Sequence, residues 1–154
     1  MRPGRQIIEG CPARPQLEEQ FAGLPVKFMG YMSGERLSQA YASADIFVFP
    51  SRLETFGLVV VEAMAAGLPV VASRVGGVTD VVHEGKNGYT FDSGDTAMLV
   101  EGVRKIASSR ENIEGMGQYA RQYAETQSWD AMMDEVIEIY AALIARKAQN
   151  AIAV

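Results

Sequence analysis

PSRLETFGLVVVEAMAAGLPVV, residues 50–71, carries a strand exit, a loop, a helix and the next strand in one run. The apolar run Asp45-Ile46-Phe47-Val48-Phe49 reads as a buried strand that ends at Pro50, and the loop behind it carries Glu54. A helix then opens near Gly57 and holds Glu62 about one and a half turns inside. Seven residues separate the two glutamates, so they bracket the helix start. The first turn of such a helix offers unpaired N–H groups and a positive dipole end, which suits a phosphate. Gly57 lets the backbone approach a ligand with no Cβ in the way. Glu54 and Glu62 cannot serve that phosphate, but they can accept hydrogen bonds from hydroxyls on either side of it. A phosphate flanked by two polyols describes a nucleotide-sugar.

Working outward, the same alternation continues along the chain. Gly67 and Pro69 close the helix, and Val70 to Ala72 forms a continuously apolar strand. Val78 to His83 reads as a short helix, Gly88 to Phe91 as a strand, and Asp95 or Thr96 starts a helix to about Ile106. Two more helices, Glu111 to Glu125 and Trp129 to Gln149, finish the chain. Upstream, Ile7-Ile8 reads as a strand tail followed by a turn at Gly10-Cys11-Pro12, then a helix from Pro15 to Phe21. Val26 to Gly30 is a short strand, and Ser33 is placed to cap a helix through Leu37, Ala40 and Tyr41. Short strands with little polar alternation, separated by helices, predict an α/β fold: a doubly wound, Rossmann-like parallel sheet covered on both faces.

Composition narrows the function classes. The chain has 154 residues, 48% of them hydrophobic, which is one ordinary domain with material for a core. A formal net charge of −5 argues against nucleic acid, which needs clustered Lys and Arg. No apolar stretch reaches the length of a membrane span, the longest being broken by Glu62. One cysteine, Cys11, excludes an internal disulfide and fits a reducing compartment. One histidine, His83, excludes a His-rich metal cluster. MRPGRQ at the start has no apolar secretory core.

The segment from Lys27 to Asp95, KFMGYMSGERLSQAYASADIFVFPSRLETFGLVVVEAMAAGLPVVASRVGGVTDVVHEGKNGYTFDSGD, resembles the C-terminal nucleotide-binding half of retaining glycosyltransferases with the GT-B fold. Within that family the phrases ERLSQAYASADIFVFPS and ETFGLVVVEAMAAGLPVVASRVGGVTDVV resemble sulfolipid synthases, the sulfoquinovosyltransferases of photosynthetic organisms. The resemblance implies that Glu54 is the donor-sugar carboxylate near the anomeric carbon and that Glu62 is the ribose ligand. Thr55, Phe56, Gly57 and Leu58 would act through backbone N–H groups toward sugar and phosphate oxygens. Gly30, Tyr31 and Met32 would border the nucleobase, with Tyr31 stacking on it. Against these stand plainer readings: a solvated loop glutamate at 54, an ordinary helix glutamate at 62, and a core role for the Phe56 side chain. Glu62 lies among Val59, Val60, Val61, Ala63 and Met64, where an unpaired buried charge would be costly. Gly76-Gly77 reads as fold support bordering the cleft, His83 as no catalytic base, and Met132, Val136, Tyr140 and Leu143 as an apolar stripe at helical spacing.

The resemblance also sets expectations about what lies beyond this sequence. A complete GT-B enzyme has two such domains, so residues 1–154 are expected to be a single, partial C-terminal domain without the N-terminal acceptor domain. The family's first strand, and the Arg and Lys it brings to the donor diphosphate, are expected to be missing. Cys11 stands where relatives have a glycine. Strand order 3-2-1-4-5-6 makes that first strand a central one, so its loss would part the strands near Ile7 and Val26 from those near Phe47, Val71 and Tyr89. The implied reaction is transfer with retention, from a UDP-linked donor such as UDP-sulfoquinovose to a lipid, diacylglycerol. UDP-glucose or GDP-mannose as donor, and a non-catalytic nucleotide-binding fragment, stay open as alternatives. No cofactor and no metal are expected. Transfer by the chain alone should be very weak, since each lost charge stabiliser costs on the order of a hundredfold to a thousandfold. A cytoplasmic or plastid enzyme, working as a peripheral protein at a membrane surface, is the compartment the likeness implies.

Overall fold

The computed structural model describes residues 13–152; the expected strand tail at Ile7-Ile8 and the turn holding Cys11 lie outside them. The elements run α1 (Arg14–Gln20), α2 (Gly34–Ala42), β1 (Phe47–Phe49), α3 (Leu58–Ala65) and β2 (Val70–Ser73). They continue with α4 (Val78–Val81), β3 (Gly88–Phe91), α5 (Thr96–Ile106), α6 (Arg110–Thr126) and α7 (Trp129–Ile152). The three strands form one parallel sheet in the order β1-β2-β3, with Phe47 opposite Val70 and Val70 opposite Gly88.

Period-two alternation in β2 divides the core. Val70 and Ala72 face one side, where Val60 and Met64 of α3 and Ala120 and Ala124 of α6 bury them together with Val78 and Val82. Val71 faces the other side and meets Phe91 and Ile106, with Leu99 and Val103 of α5 packed around them. Both faces of the sheet are therefore covered, as the apolar strands require.

Asn87 and Ser73 are the buried polar residues among those described, and Asn87 is fully enclosed. Its amide nitrogen donates to the Val81 carbonyl at 3.0 Å, and its Oδ1 accepts from the His83 N–H at 2.7 Å. His83 sits edge-on to Tyr119 and Tyr123 and its Nδ1 lies 3.3 Å from the Tyr119 hydroxyl. Burial, then the charge of Asp80, then Tyr119, raise the Tyr123 phenol above its ordinary value.

Two expectations fail. Residues 26–30 form no strand. A strand exists by virtue of its ladder, and β1 pairs only with β2, its outer edge having no ladder partner among the described residues. The segment is tied instead to α1, where Arg14 Nη2 donates to the Phe28 carbonyl at 3.3 Å. Ser33 stands at the N-cap of α2 in extended conformation but makes no side-chain cap bond. Asp95 does cap α5, accepting from the Met98 N–H at 2.9 Å.

Candidate functional site

The site is built at the carboxyl end of β1. The strand delivers the chain to residues 50–57, and α3 is anchored behind them by its buried Val60, Ala63 and Met64. Gly57 caps α3 with φ +72°, a left-handed conformation that a Cβ disfavours, and Val78 Cγ2 would lie 3.3 Å from such a Cβ. Its carbonyl accepts from the N–H groups of Val60 and Val61 at 2.9 and 3.2 Å. Those of Leu58 and Val59 have no acceptor among the described residues. They are the orphan donors of a helix start, directed at whatever stands before it.

The loop itself is braced from below. The Gly77 N–H donates to the Thr55 carbonyl at 2.9 Å. At Gly76, with φ +49°, a Cβ would stand 1.9 Å from the Glu54 carbonyl oxygen. The glycine pair thus shapes residues 54–56, as its support role predicts.

Glu54 differs from expectation. Rather than reaching outward, its Oε1 accepts from the Thr55 and Phe56 N–H groups at 2.8 and 3.3 Å. The amides of Gly57, Thr55 and Phe56 hold its carboxyl below the ordinary 4.5; of the three, Thr55 and Phe56 make hydrogen bonds. The physical reason is local. Loop amides at a helix start need acceptors, and a side chain one or two residues back is the nearest anion.

Glu62 is exposed on α3, so it carries no burial cost, contrary to the reading from its apolar neighbours. Its Oε2 accepts from the Tyr41 hydroxyl at 3.4 Å, and the Tyr41 ring packs edge-on against Phe47 at 5.8 Å. Tyr41 is a residue that the sequence placed only on the helix after Ser33. Its signal is indirect: a tyrosine on the helix that precedes the strand feeding the site. The Phe56 side chain is 74% exposed and does not join the core, and Leu53 and Leu58 beside it in sequence are exposed too.

Gly30, Tyr31 and Met32 form a separate part. Gly30 turns with φ +70°, Met32 is buried, and Tyr31 is 79% exposed. No hydrogen bond or ring contact joins them to the 54–62 group among the described residues. Two cavities flank the site without including it. One of about 180 Å³ lies among Pro50, Arg52, Phe91, Ser93 and Thr96, the other beside Arg74, Thr79 and Thr90. Among the described residues no three His, Cys, Asp or Glu side chains group so as to hold a metal ion. No helix among them is long and apolar enough to cross a membrane.

The arrangement is thus a helix head presented at the carboxyl end of a parallel sheet, with one carboxylate before it and another within it. Residues 13–123 match the model of the glycosyl transferases group 1 family, and the chain belongs to that family. It is 45% identical over 133 residues to sulfoquinovosyl transferase SQD2 of Arabidopsis thaliana, covering 84% of this chain and 26% of the relative. It is 34% identical over 151 residues to a D-inositol 3-phosphate glycosyltransferase of Corynebacterium urealyticum, covering 92% and 36%. Among solved structures, sucrose-phosphate synthase of Thermosynechococcus elongatus superposes with TM-score 0.78 at 27% identity, covering 92% of this chain and 38% of that one. Anabaena HepE in complex with UDP gives TM-score 0.77 at 25% identity, covering 88% and 40%. The fold is the C-terminal half of the GT-B architecture. The chain spans between about a quarter and two fifths of the length of these relatives.

Proposed function

We propose that this chain is the donor-binding half of a retaining glycosyltransferase that moves a sugar from a UDP-linked donor to a lipid acceptor. The likeness to sulfoquinovosyl transferase favours UDP-sulfoquinovose as donor and diacylglycerol as acceptor. The observation that carries the reading is the head of α3, where open N–H groups of Leu58 and Val59 adjoin a carboxylate that already binds amides. The solved complexes of HepE with UDP and with UDP-glucose support a UDP-linked ligand for a chain of this fold.

In this scheme the α3 head receives the diphosphate, Glu62 the ribose hydroxyls and Glu54 the sugar hydroxyls, while Tyr31 stacks on the base. Glu54 and Glu62 are not a glycosidase pair of acid and nucleophile. The departing diphosphate takes the acceptor's proton on the same face of the sugar, and the fixed amides stabilise the negative charge growing on the leaving group. The scheme uses no metal. Acceptor binding is assigned to a second domain, as in a complete GT-B enzyme. The chain alone is therefore read as binding donor with very weak transfer. A peripheral position at a membrane surface follows from a lipid acceptor.

Calorimetry with UDP, UDP-glucose, UDP-sulfoquinovose and GDP-mannose tests this. UDP-linked ligands should bind, and Glu62→Ala should weaken them all about tenfold by removing the ribose acceptor. Silence toward every nucleotide would overturn the reading. Preference for GDP-mannose, or for UDP-glucose over UDP-sulfoquinovose, would favour the second one, drawn from the inositol-phosphate glycosyltransferase likeness: another donor and a different acceptor on the same site.

A further inference from the structure

The head of α3 already holds an anion, and it is the chain's own. Glu54 Oε1 takes the N–H groups of Thr55 and Phe56, immediately before the two open donors of Leu58 and Val59. A phosphate approaching those open donors meets a negative charge seated beside them, and like charges at short range repel. The sugar oxygens meant for Thr55 and Phe56 find the same amides taken.

We infer that the Glu54 carboxylate is a resident occupant of the donor site, which a sugar-bearing nucleotide displaces at little loss and a bare nucleoside diphosphate displaces at full loss. The inference rests on the donor-site reading above. A donor sugar brings hydroxyls that give the departing carboxylate new hydrogen bonds, while its own oxygens take over the Thr55 and Phe56 amides. UDP brings phosphates and no such hydroxyls. Once the sugar has left for the acceptor, return of Glu54 to the two amides works against the nucleotide that remains, so the resident carboxylate also speeds product release.

The surroundings favour this exchange over a fixed structural role. Gly76 and Gly77, packed under the loop, bring no charge. Arg74, just before them, is engaged by Asp92 at 3.0 Å and by Thr90 at 3.2 Å. Asp80 of α4 lies on the Tyr123 side. Arg52, on the same loop, is exposed and forms no ion pair among the described residues. Glu54 is thus held by amides, which any oxygen acceptor can satisfy, and not by a cation.

The test compares the full chain with Glu54→Ala and Glu54→Gln, titrated with UDP and with UDP-glucose near neutral pH. Glu54→Ala should bind UDP roughly two- to fivefold tighter than the parent, and UDP-glucose more weakly. Glu54→Gln, a neutral acceptor, should fall between. Without ligand, the backbone amide shifts of Thr55 and Phe56 should follow one carboxyl titration centred below 4.5 in the parent and none in Glu54→Ala. Unchanged or weaker UDP binding in Glu54→Ala overturns the inference, as do Thr55 and Phe56 amides that ignore pH. If no variant binds any nucleotide while those amides titrate normally, displacement falls together with the functional reading, and the carboxylate's residence on the amides stands by itself.

Discussion

Tyr41 shows how a single side chain joins core to site. Its ring is fixed against Phe47 of β1, and its hydroxyl donates to Glu62, so the packing of the strand sets where that carboxylate stands. Tyr41→Phe keeps the ring contact and removes the donor. The variant should unfold at the parent's temperature within a degree or two and bind UDP about two- to threefold more weakly, with a similar loss for UDP-glucose, since an exposed bond of this kind contributes little. Equal affinities by calorimetry would show that Glu62 needs no such guide. Glu54 adds a pH dependence of folding. Its carboxyl is held below 4.5 by the Gly57, Thr55 and Phe56 amides. Its contribution is therefore complete above 4.5 and is lost as pH falls below that value through the depressed one.

Among the elements, α3 and the turn before α4 act as one part. Gly76→Ala should destabilise by about 1–3 kcal/mol for its positive φ alone, and more because the new methyl collides with the Glu54 carbonyl. Gly94→Ala is the control: its φ is +93°, but a Cβ there meets nothing within 4 Å. Urea unfolding should find both variants weakened, while calorimetry should find UDP binding impaired only at 76. Equal binding by both would mean the turn does not shape the amide cluster. The apolar runs at 45–49, 70–72 and 88–91 were legible because a buried parallel strand announces itself by composition. The strand proposed at 26–30 was not secured by its residues, because pairing depends on a neighbour that no local pattern encodes. The placing of the two glutamates around the start of α3 was legible, yet the direction Glu54 takes was hidden. Hydroxyls outside and amides beside it are equally good partners on paper, and only backbone geometry decides which is nearer. Phe56 misled for a related reason: aromatic residues are usually buried, and this one follows a loop that keeps it at the rim.

For the whole molecule, the two-sided core is built from the three strands and α3 to α6, and α1, α2 and α7 give it no residue. Neither buried cluster includes a residue of α7, and Met133, Ile137, Tyr140 and Ile144 on that helix are exposed. Of the stripe expected there, Val136, Tyr140 and Leu143 are exposed rather than core, and the Met132 side chain lies outside what the structure describes. Ending the chain at Ser128 should therefore leave the thermal midpoint within about 3 °C of the parent, with the cooperativity of the transition retained. Circular dichroism during heating checks this, and a broad transition would show that α7 supports the sheet after all.

The contact between Gly76 and the Glu54 carbonyl also bears on descent. With under 2 Å available there for a methyl group, drift at 76 and drift in the loop above it are not independent events. A lineage could replace that glycine only after the loop had already moved, and a moved loop would no longer present its amides to the proposed donor. Inheritance of the turn and inheritance of the binding face are thus one event.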